Sequence, residues 1–323
     1  MWVTMVDVGG YNLGEDGSPE PLQIVCGAQN FEQGDHIVTA LVGAELPGGI
    51  KIKKSKLRGV VSCGMNCSAR ELGLSGDHSG IMILPADAPV GVPFAEYRGT
   101  SDTVLDCEIT PNRPDCLSMV GMAREVGAIF DRDTHVELPT IKQEVGRPTA
   151  DEVSLAIADE GLCSRYVARI VRNVKVGPSP EWMVERLAAA GVRSINNIVD
   201  ITNYIMFAYG QPLHSFDVDM IKGKKVVVRT MPEGTPFVTL DGTEHKLSER
   251  DLAICNAEDP MCIAGVFGGK GSGTYETTRD VLLESAYFNP TWIRKSARRH
   301  GLNTDASFRF ERGIDPNGTI YAL

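Results

Sequence analysis

Short apolar runs separated by glycine-rich turns recur through residues 1–100. The pattern predicts short strands at 4–8, 22–26, 36–41 and 81–84, with turns at Gly9-Gly10, Gly48-Gly49 and Gly91. One short helix is expected at 68–72, where Ser68 precedes Glu71 at capping-box spacing. Many short strands and one helix fit a small β-barrel of the OB type. Residues 101–148 read as a connector: a strand at 105–109, a forced turn at Thr110-Pro111-Asn112-Arg113-Pro114, then a helix capped by Asp115. Leu117, Met122, Val126 and Ile129 share one face of that helix. Residues 137–150, with Pro139 and Pro148, read as a linker.

From Asp151 the pattern becomes α+β. Ser179-Pro180 predicts the start of a helix over 181–190 that Gly191 ends. Ile198, Ile201, Ile205 and Ala208 keep helical spacing up to Gly210, and Pro212 blocks continuation. Strands are expected at 226–229, 237–240 (with a turn at Asp241-Gly242), 252–255 and 281–283.

A chain of 323 residues suits two or three domains. With 42% hydrophobic and 23% charged residues it is composed like a soluble globular protein, and no apolar run approaches the roughly 20 residues of a membrane span. The N-terminal residues lack the basic flank and cleavage site of a signal peptide. No two cysteines form a CxxC pair, and Cys63 and Cys67 have no second pair at finger-like spacing, so no metal site is expected. Scattered free thiols point to a reducing, cytoplasmic setting.

The net charge of −10 argues against sequence-blind wrapping of nucleic acid, DNA included. Two stretches are locally basic. Lys51, Lys53, Lys54, Lys56 and Arg58 crowd one segment without an acid; they are either the guards of an edge strand or a contact strip for RNA. The second stretch, 292–312, includes Arg298 and Arg299. No GxSxG elbow is present, and the loop Gly265-Val266-Phe267-Gly268-Gly269-Lys270-Gly271 lacks the Ser/Thr that a phosphate loop needs after its lysine. No ATP site is encoded. The loop is either a surface turn or a pocket wall.

Several strings, taken in order, carry a resemblance. They are Leu22-Gln23-Ile24-Val25-Cys26-Gly27-Ala28, Lys56-Leu57-Arg58-Gly59, Thr110 to Ser118, Ile195 to Tyr204, Gly210-Gln211-Pro212-Leu213-His214-Ser215-Phe216-Asp217 and Phe310-Glu311-Arg312-Gly313. Together they resemble the β chain of bacterial phenylalanyl-tRNA synthetase along essentially the whole sequence. That resemblance implies an OB-fold tRNA-binding-type domain over 1–100 with its first strand truncated, an incomplete connector over 101–148, and a B3/B4 editing domain over 149–318. The family chain extends beyond both ends, so an excised piece is expected. The resemblance further implies tRNA(Phe) and the catalytic α subunit of an α2β2 enzyme as partners, with tyrosine as an editing-site ligand. No cofactor is implied within this piece; ATP and Mg2+ would bind elsewhere in the enzyme.

The family's editing pocket maps onto Arg193, Thr202, Asn203, His214, Gly268, Glu284, Thr304 and Ala306. There a wrongly attached tyrosine would be hydrolysed, with Glu284 accepting the phenolic hydrogen and His214 positioning water or the terminal adenosine, while Arg298 and Arg299 of the second basic stretch would help hold the acceptor-end phosphates of the tRNA. Two other readings stand beside this one: a tRNA-binding module that catalyses nothing, and an unrelated small-molecule hydrolase.

Overall fold

The short apolar runs of the N-terminal segment become strands that pair antiparallel. In the computed structural model, which describes residues 1–74, 76, 78–99, 103–136 and 146–323, the chain divides into two compact units, Met1–Thr103 and Val104–Leu323. In the first, Trp2–Val6 pairs with Leu22–Cys26, Thr39–Leu41 with Gly64–Asn66, and His36–Ile37 with Ile83–Leu84. Two hairpins, Glu45–Leu46 with Ile50–Lys51 and Ser55–Leu57 with Val60–Ser62, stand beside them. These two-stranded ladders do not close into a barrel among the described residues. Ile24, Ala40, Ile52 and Cys67 are buried in this unit.

The strand expected at 36–41 is interrupted at Val38, whose carbonyl accepts the Cys67 amide instead of continuing one ladder. The helix expected at 68–72 is a turn. Glu71 does reach back to the Ser68 amide (2.7 Å), but only a single helical turn is closed. The string Lys56-Leu57-Arg58-Gly59 forms a two-residue hairpin loop. Arg58 (φ 49°) and Gly59 (φ 89°) both take the left-handed conformation that such a loop requires.

The second unit is built on two sheets. Ser154–Ile157, Lys225–Thr230, Leu252–Cys255, Pro260–Ile263 and Phe267–Gly268 lie side by side in that order, the first pair parallel and the rest antiparallel. In the other sheet Val281–Phe288 is central, flanked antiparallel by Cys163–Val171 and Leu213–Asp217. Along the central strand Leu282, Ala286 and Phe288 enter the hydrophobic core shared with Val226, Val228, Ala253, Ile254 and Ile263 of the first sheet. Period-two alternation therefore places Glu284 on the same core-facing side. Phe216 belongs to that core too, which puts His214, two residues before it, on the inner side of its own strand.

Helices complete the unit. Asn196 caps Asn197–Tyr209 by accepting the Ile198 and Val199 amides, and Gly210 ends it with φ 79°. Asp200, fully buried in this helix, accepts bonds from the Ser179 and Ser194 hydroxyls and the Ile195 amide. Ser179 is thereby engaged, and the helix Glu181–Ala189 begins after Pro180 without a side-chain cap. The helix Met119–Phe130 is capped by Ser118, not Asp115, because Asp115 is held by Arg113 (2.8 Å), which also grips Glu125 (2.6 Å). Residues 105–109, expected as a strand, form none, and Leu105 is 78% exposed. Most of the proposed linker, 137–145, lies outside the described residues.

Candidate functional site

Val281–Phe288 pairs with Leu213–Asp217 so that His214 and Glu284 stand directly opposite each other. Directly opposed side chains in an antiparallel pair share a face and have Cβ atoms about 5 Å apart. Here that face looks into the space between the sheets. His214 as a residue is half-buried, but its Nε2 is sealed from solvent and has no hydrogen-bond partner among the described residues. The imidazole lies edge-on to Phe216, 4.6 Å between ring centres. Gly268 presses on its other side: a Cβ added there would sit 2.8 Å from His214 Cε1 and 2.8 Å from Leu240 Cδ1. The glycine loop is thus a wall against the imidazole rather than a free turn. Leu240, 46% exposed, borders the same point from the solvent side.

Glu284 is 4% exposed, and its Oε2 accepts one bond, from the Tyr166 hydroxyl at 3.3 Å. Burial is the main cause that raises its pKa to about 8, with the Tyr166 bond acting weakly the other way. Burial alone lowers that of His214 to about 4. Both groups are therefore neutral near pH 7. Burial thus favours the carboxylic-acid form of Glu284, which can donate as well as accept.

These shifts give a signed stability profile. Native Glu284 keeps its proton up to about pH 8, whereas the unfolded chain releases it near 4.5, so stability falls as pH rises between those values. Native His214 stays neutral down to about pH 4, whereas the unfolded imidazole protonates near 6.5, so stability falls as pH drops across that interval. The two trends oppose each other below pH 6.5 and leave Glu284 acting alone above it. Urea unfolding of this chain should show stability declining from pH 6.5 to 8, and Glu284→Gln should abolish the decline. An unaltered decline in the variant would mean that another group titrates.

Thr304 is tied to the loop that carries Gly268. Thr304 caps the Asp305–Phe310 helix, and its hydroxyl donates to the Val266 carbonyl at 3.0 Å, two residues before Gly268. Its hydroxyl is thus fastening the loop. Ala306 packs on the inter-sheet core. Arg193, Thr202 and Asn203 are not joined to His214 or Glu284 by any hydrogen bond among the described residues. Arg193 is exposed, and Thr202 is buried with its hydroxyl on the Val199 carbonyl of its own helix. One residue at the centre escaped the sequence reading: Tyr166. Its only sequence signal is period-two alternation within Cys163–Val171.

The basic stretches separate in the same way. Lys51, Lys53, Lys54, Lys56 and Arg58 are all exposed, and among the described residues only Lys51 of these forms an ion pair, with Glu45 at 3.4 Å. A groove of about 670 Å³ beside Lys51 and Lys53 is lined also by Val25, Ser62, Asn66 and His78. On the helix Pro290–His300, Arg294, Lys295 and Arg298 are exposed. Arg299 instead pairs with Asp251, a fully buried carboxylate that also takes bonds from Ser296 (2.7 Å), the Ser248 amide (2.8 Å) and His300 (2.9 Å). That cluster anchors the helix to the sheet, which makes Arg299 a structural cation and not a free one. Arg309 is likewise buried, its guanidinium over the Phe207 ring.

Comparison with known proteins adds a family to this geometry. Residues 162–323 match the family described as B3/4 domain, and residues 3–93 match the one described as "Putative tRNA binding domain". The chain is 52% identical over 320 residues to the phenylalanine–tRNA ligase beta subunit of Bacteroides thetaiotaomicron, covering 95% of this chain and 38% of that protein. It is 50% identical over 301 residues to the same subunit from Bdellovibrio bacteriovorus, covering 93% and 37%. The chain thus spans less than two-fifths of the length of these relatives. Among solved structures, an N-terminal fragment of the phenylalanyl-tRNA synthetase beta-subunit from Pyrococcus horikoshii aligns over 59% of each chain. Its identity is 17% and its TM-score 0.34, too low to support an argument about the fold.

Proposed function

The chain belongs to the B3/4 domain family, and from that premise we propose that it is the part of a phenylalanine–tRNA ligase beta subunit that hydrolyses tRNA(Phe) wrongly charged with tyrosine. One observation carries the reading. A buried carboxyl and an unpartnered imidazole are directly opposed on neighbouring strands, beside a glycine where an added Cβ would crowd the imidazole.

Tyrosine and phenylalanine differ by one hydroxyl. Glu284 answers that hydroxyl by donating to it or accepting from it, and phenylalanine would leave the carboxyl oxygen with no partner. A site that bonds a substrate hydroxyl rejects the analogue lacking it by roughly 10⁴-fold. Hydrolysis of the ester needs water to add to the carbonyl carbon, a tetrahedral oxyanion to form, and the ribose oxygen to leave with a proton. With its pKa near 4, His214 is a weak base. Its part is to orient the attacking water, or the terminal adenosine, through the unpartnered Nε2. Thr304 contributes by holding the loop that carries Gly268, and Asn203, Thr202 and Arg193 await substrate to be drawn in.

Residues 1–100 then serve as an OB-type tRNA-binding domain, with the strip from Lys51 to Arg58 as its contact with phosphates. Residues 101–148 form a connector and 149–318 the editing domain. The synthetic reaction, with its ATP and Mg2+, belongs to the rest of a cytoplasmic α2β2 enzyme. The test is deacylation of Tyr-tRNA(Phe) by the assembled synthetase carrying His214→Ala. Hydrolysis at the native rate would remove the imidazole from the mechanism.

A further inference from the structure

The carboxyl that reads the substrate is itself held by another side chain. Tyr166 lies on Cys163–Val171, across the central strand from His214, and its partner in register is Ala286, two residues beyond Glu284 on the same face. Diagonal neighbours of this kind are about 7–8 Å apart, within a tyrosine's reach. The Tyr166 hydroxyl is 3.3 Å from Glu284 Oε2, and this is the one hydrogen bond to that carboxyl among the described residues. Burial raises the phenol's pKa well above its ordinary value, so it remains a donor. The residue is half-buried because its ring also borders a cavity of about 260 Å³ lined by Leu155, Ile157, Val226 and Val228, while the hydroxyl end is in the interior. Among the described residues, the other titratable neighbours of the carboxyl are His214 opposite it and the buried thiols Cys163 and Cys262.

We propose that Tyr166 is a positioning residue that holds one oxygen of Glu284 and so offers the other to a phenolic substrate, setting the preference for tyrosyl over phenylalanyl esters. Without this bond the carboxyl is free to turn about its side-chain torsions, and its second oxygen no longer has a fixed direction. The inference rests on the editing reading of the same site. It differs from a purely structural role, because the hydroxyl matters here apart from the ring that fills the core.

The experiment uses Tyr166→Phe, which keeps the ring, beside Glu284→Ala in the assembled synthetase. The Tyr-to-Phe ratio of deacylation rates is expected to fall about tenfold in Tyr166→Phe, as for loss of one hydrogen bond, through slower tyrosyl hydrolysis. In this chain, carbon-13 NMR should show the Glu284 carboxyl titrating still higher in Tyr166→Phe, since the lost bond lowered its pKa. If Glu284→Ala collapses the ratio while Tyr166→Phe leaves it intact, the inference is overturned and the editing reading survives. If Glu284→Ala leaves the ratio unchanged, the editing reading fails, and the specificity role assigned to Tyr166 falls with it. An unmoved Glu284 titration in Tyr166→Phe would overturn the inference in every case.

Discussion

Replacing Glu284 by alanine is expected to bring the rates for Tyr-tRNA(Phe) and Phe-tRNA(Phe) close together, a loss of discrimination of about 10²-fold or more. The expectation follows from where the carboxyl stands. It is buried, neutral near pH 7, bonded at one oxygen by Tyr166, and opposed by a histidine with no partner of its own. A strand-end ion pair, the ordinary reason for a glutamate after an apolar run, is excluded because no cation reaches it among the described residues. Burying an acid without a counter-charge costs stability, and a use in binding accounts for its place here. Glu284→Gln separates shape from chemistry. The amide can still bond a phenol, so it should retain part of the discrimination while losing the decline of stability between pH 6.5 and 8. Deacylation of the two charged tRNAs by assembled enzyme measures both variants, and an undiminished ratio in Glu284→Ala would sink the proposal.

Gly268→Ala is expected to slow tyrosyl-ester hydrolysis by about 10²-fold, the scale on which a misplacement of 1 Å acts at a reacting centre. Gly268 does not adopt the left-handed backbone, so alanine meets no conformational penalty and the effect is one of space alone. The new methyl would lie 2.8 Å from both His214 Cε1 and Leu240 Cδ1. Leu240, half exposed, can withdraw; the imidazole, backed by Phe216, must turn. Crowding of this kind costs about 1–3 kcal/mol of stability. A thermal melt run beside the deacylation assay distinguishes a displaced imidazole from an unfolded domain. Native hydrolysis with a lowered melting temperature would mean that the imidazole's place does not matter to the reaction.

The helices Glu181–Ala189 and Asn197–Tyr209 were legible because caps and spacing act locally, whereas Pro290–His300, Asp305–Phe310 and Gly318–Ala322 were not anticipated. Asn196 and Gly210 delimit Asn197–Tyr209 within two residues of the periodic apolar positions. Where two capping residues compete, a third group decides, as Arg113 does by taking Asp115 and leaving the cap to Ser118. The central strand was underestimated for a reason tied to function. Glu284 reads as the polar end of the apolar run 281–283, yet the alternation continues through Ala286 to Phe288 with the acid facing the core. Residues 1–100 gave strands but no closure, since ladders of two to five residues depend on partners far along the chain. Tyr166 was invisible for the same cause: it meets Glu284 from 118 positions away, through a register that no local pattern encodes. Arg299 looked like a phosphate ligand by composition, whereas the buried Asp251 had already claimed it.

Calorimetric titration of tyrosine and of phenylalanine into this chain asks whether the Glu284 carboxyl reads a phenolic hydroxyl without the rest of the synthetase intervening. Tyrosine is predicted to bind at least about tenfold more tightly, and Glu284→Ala to erase the difference. Equal affinity of the native chain for the two amino acids would contradict the account.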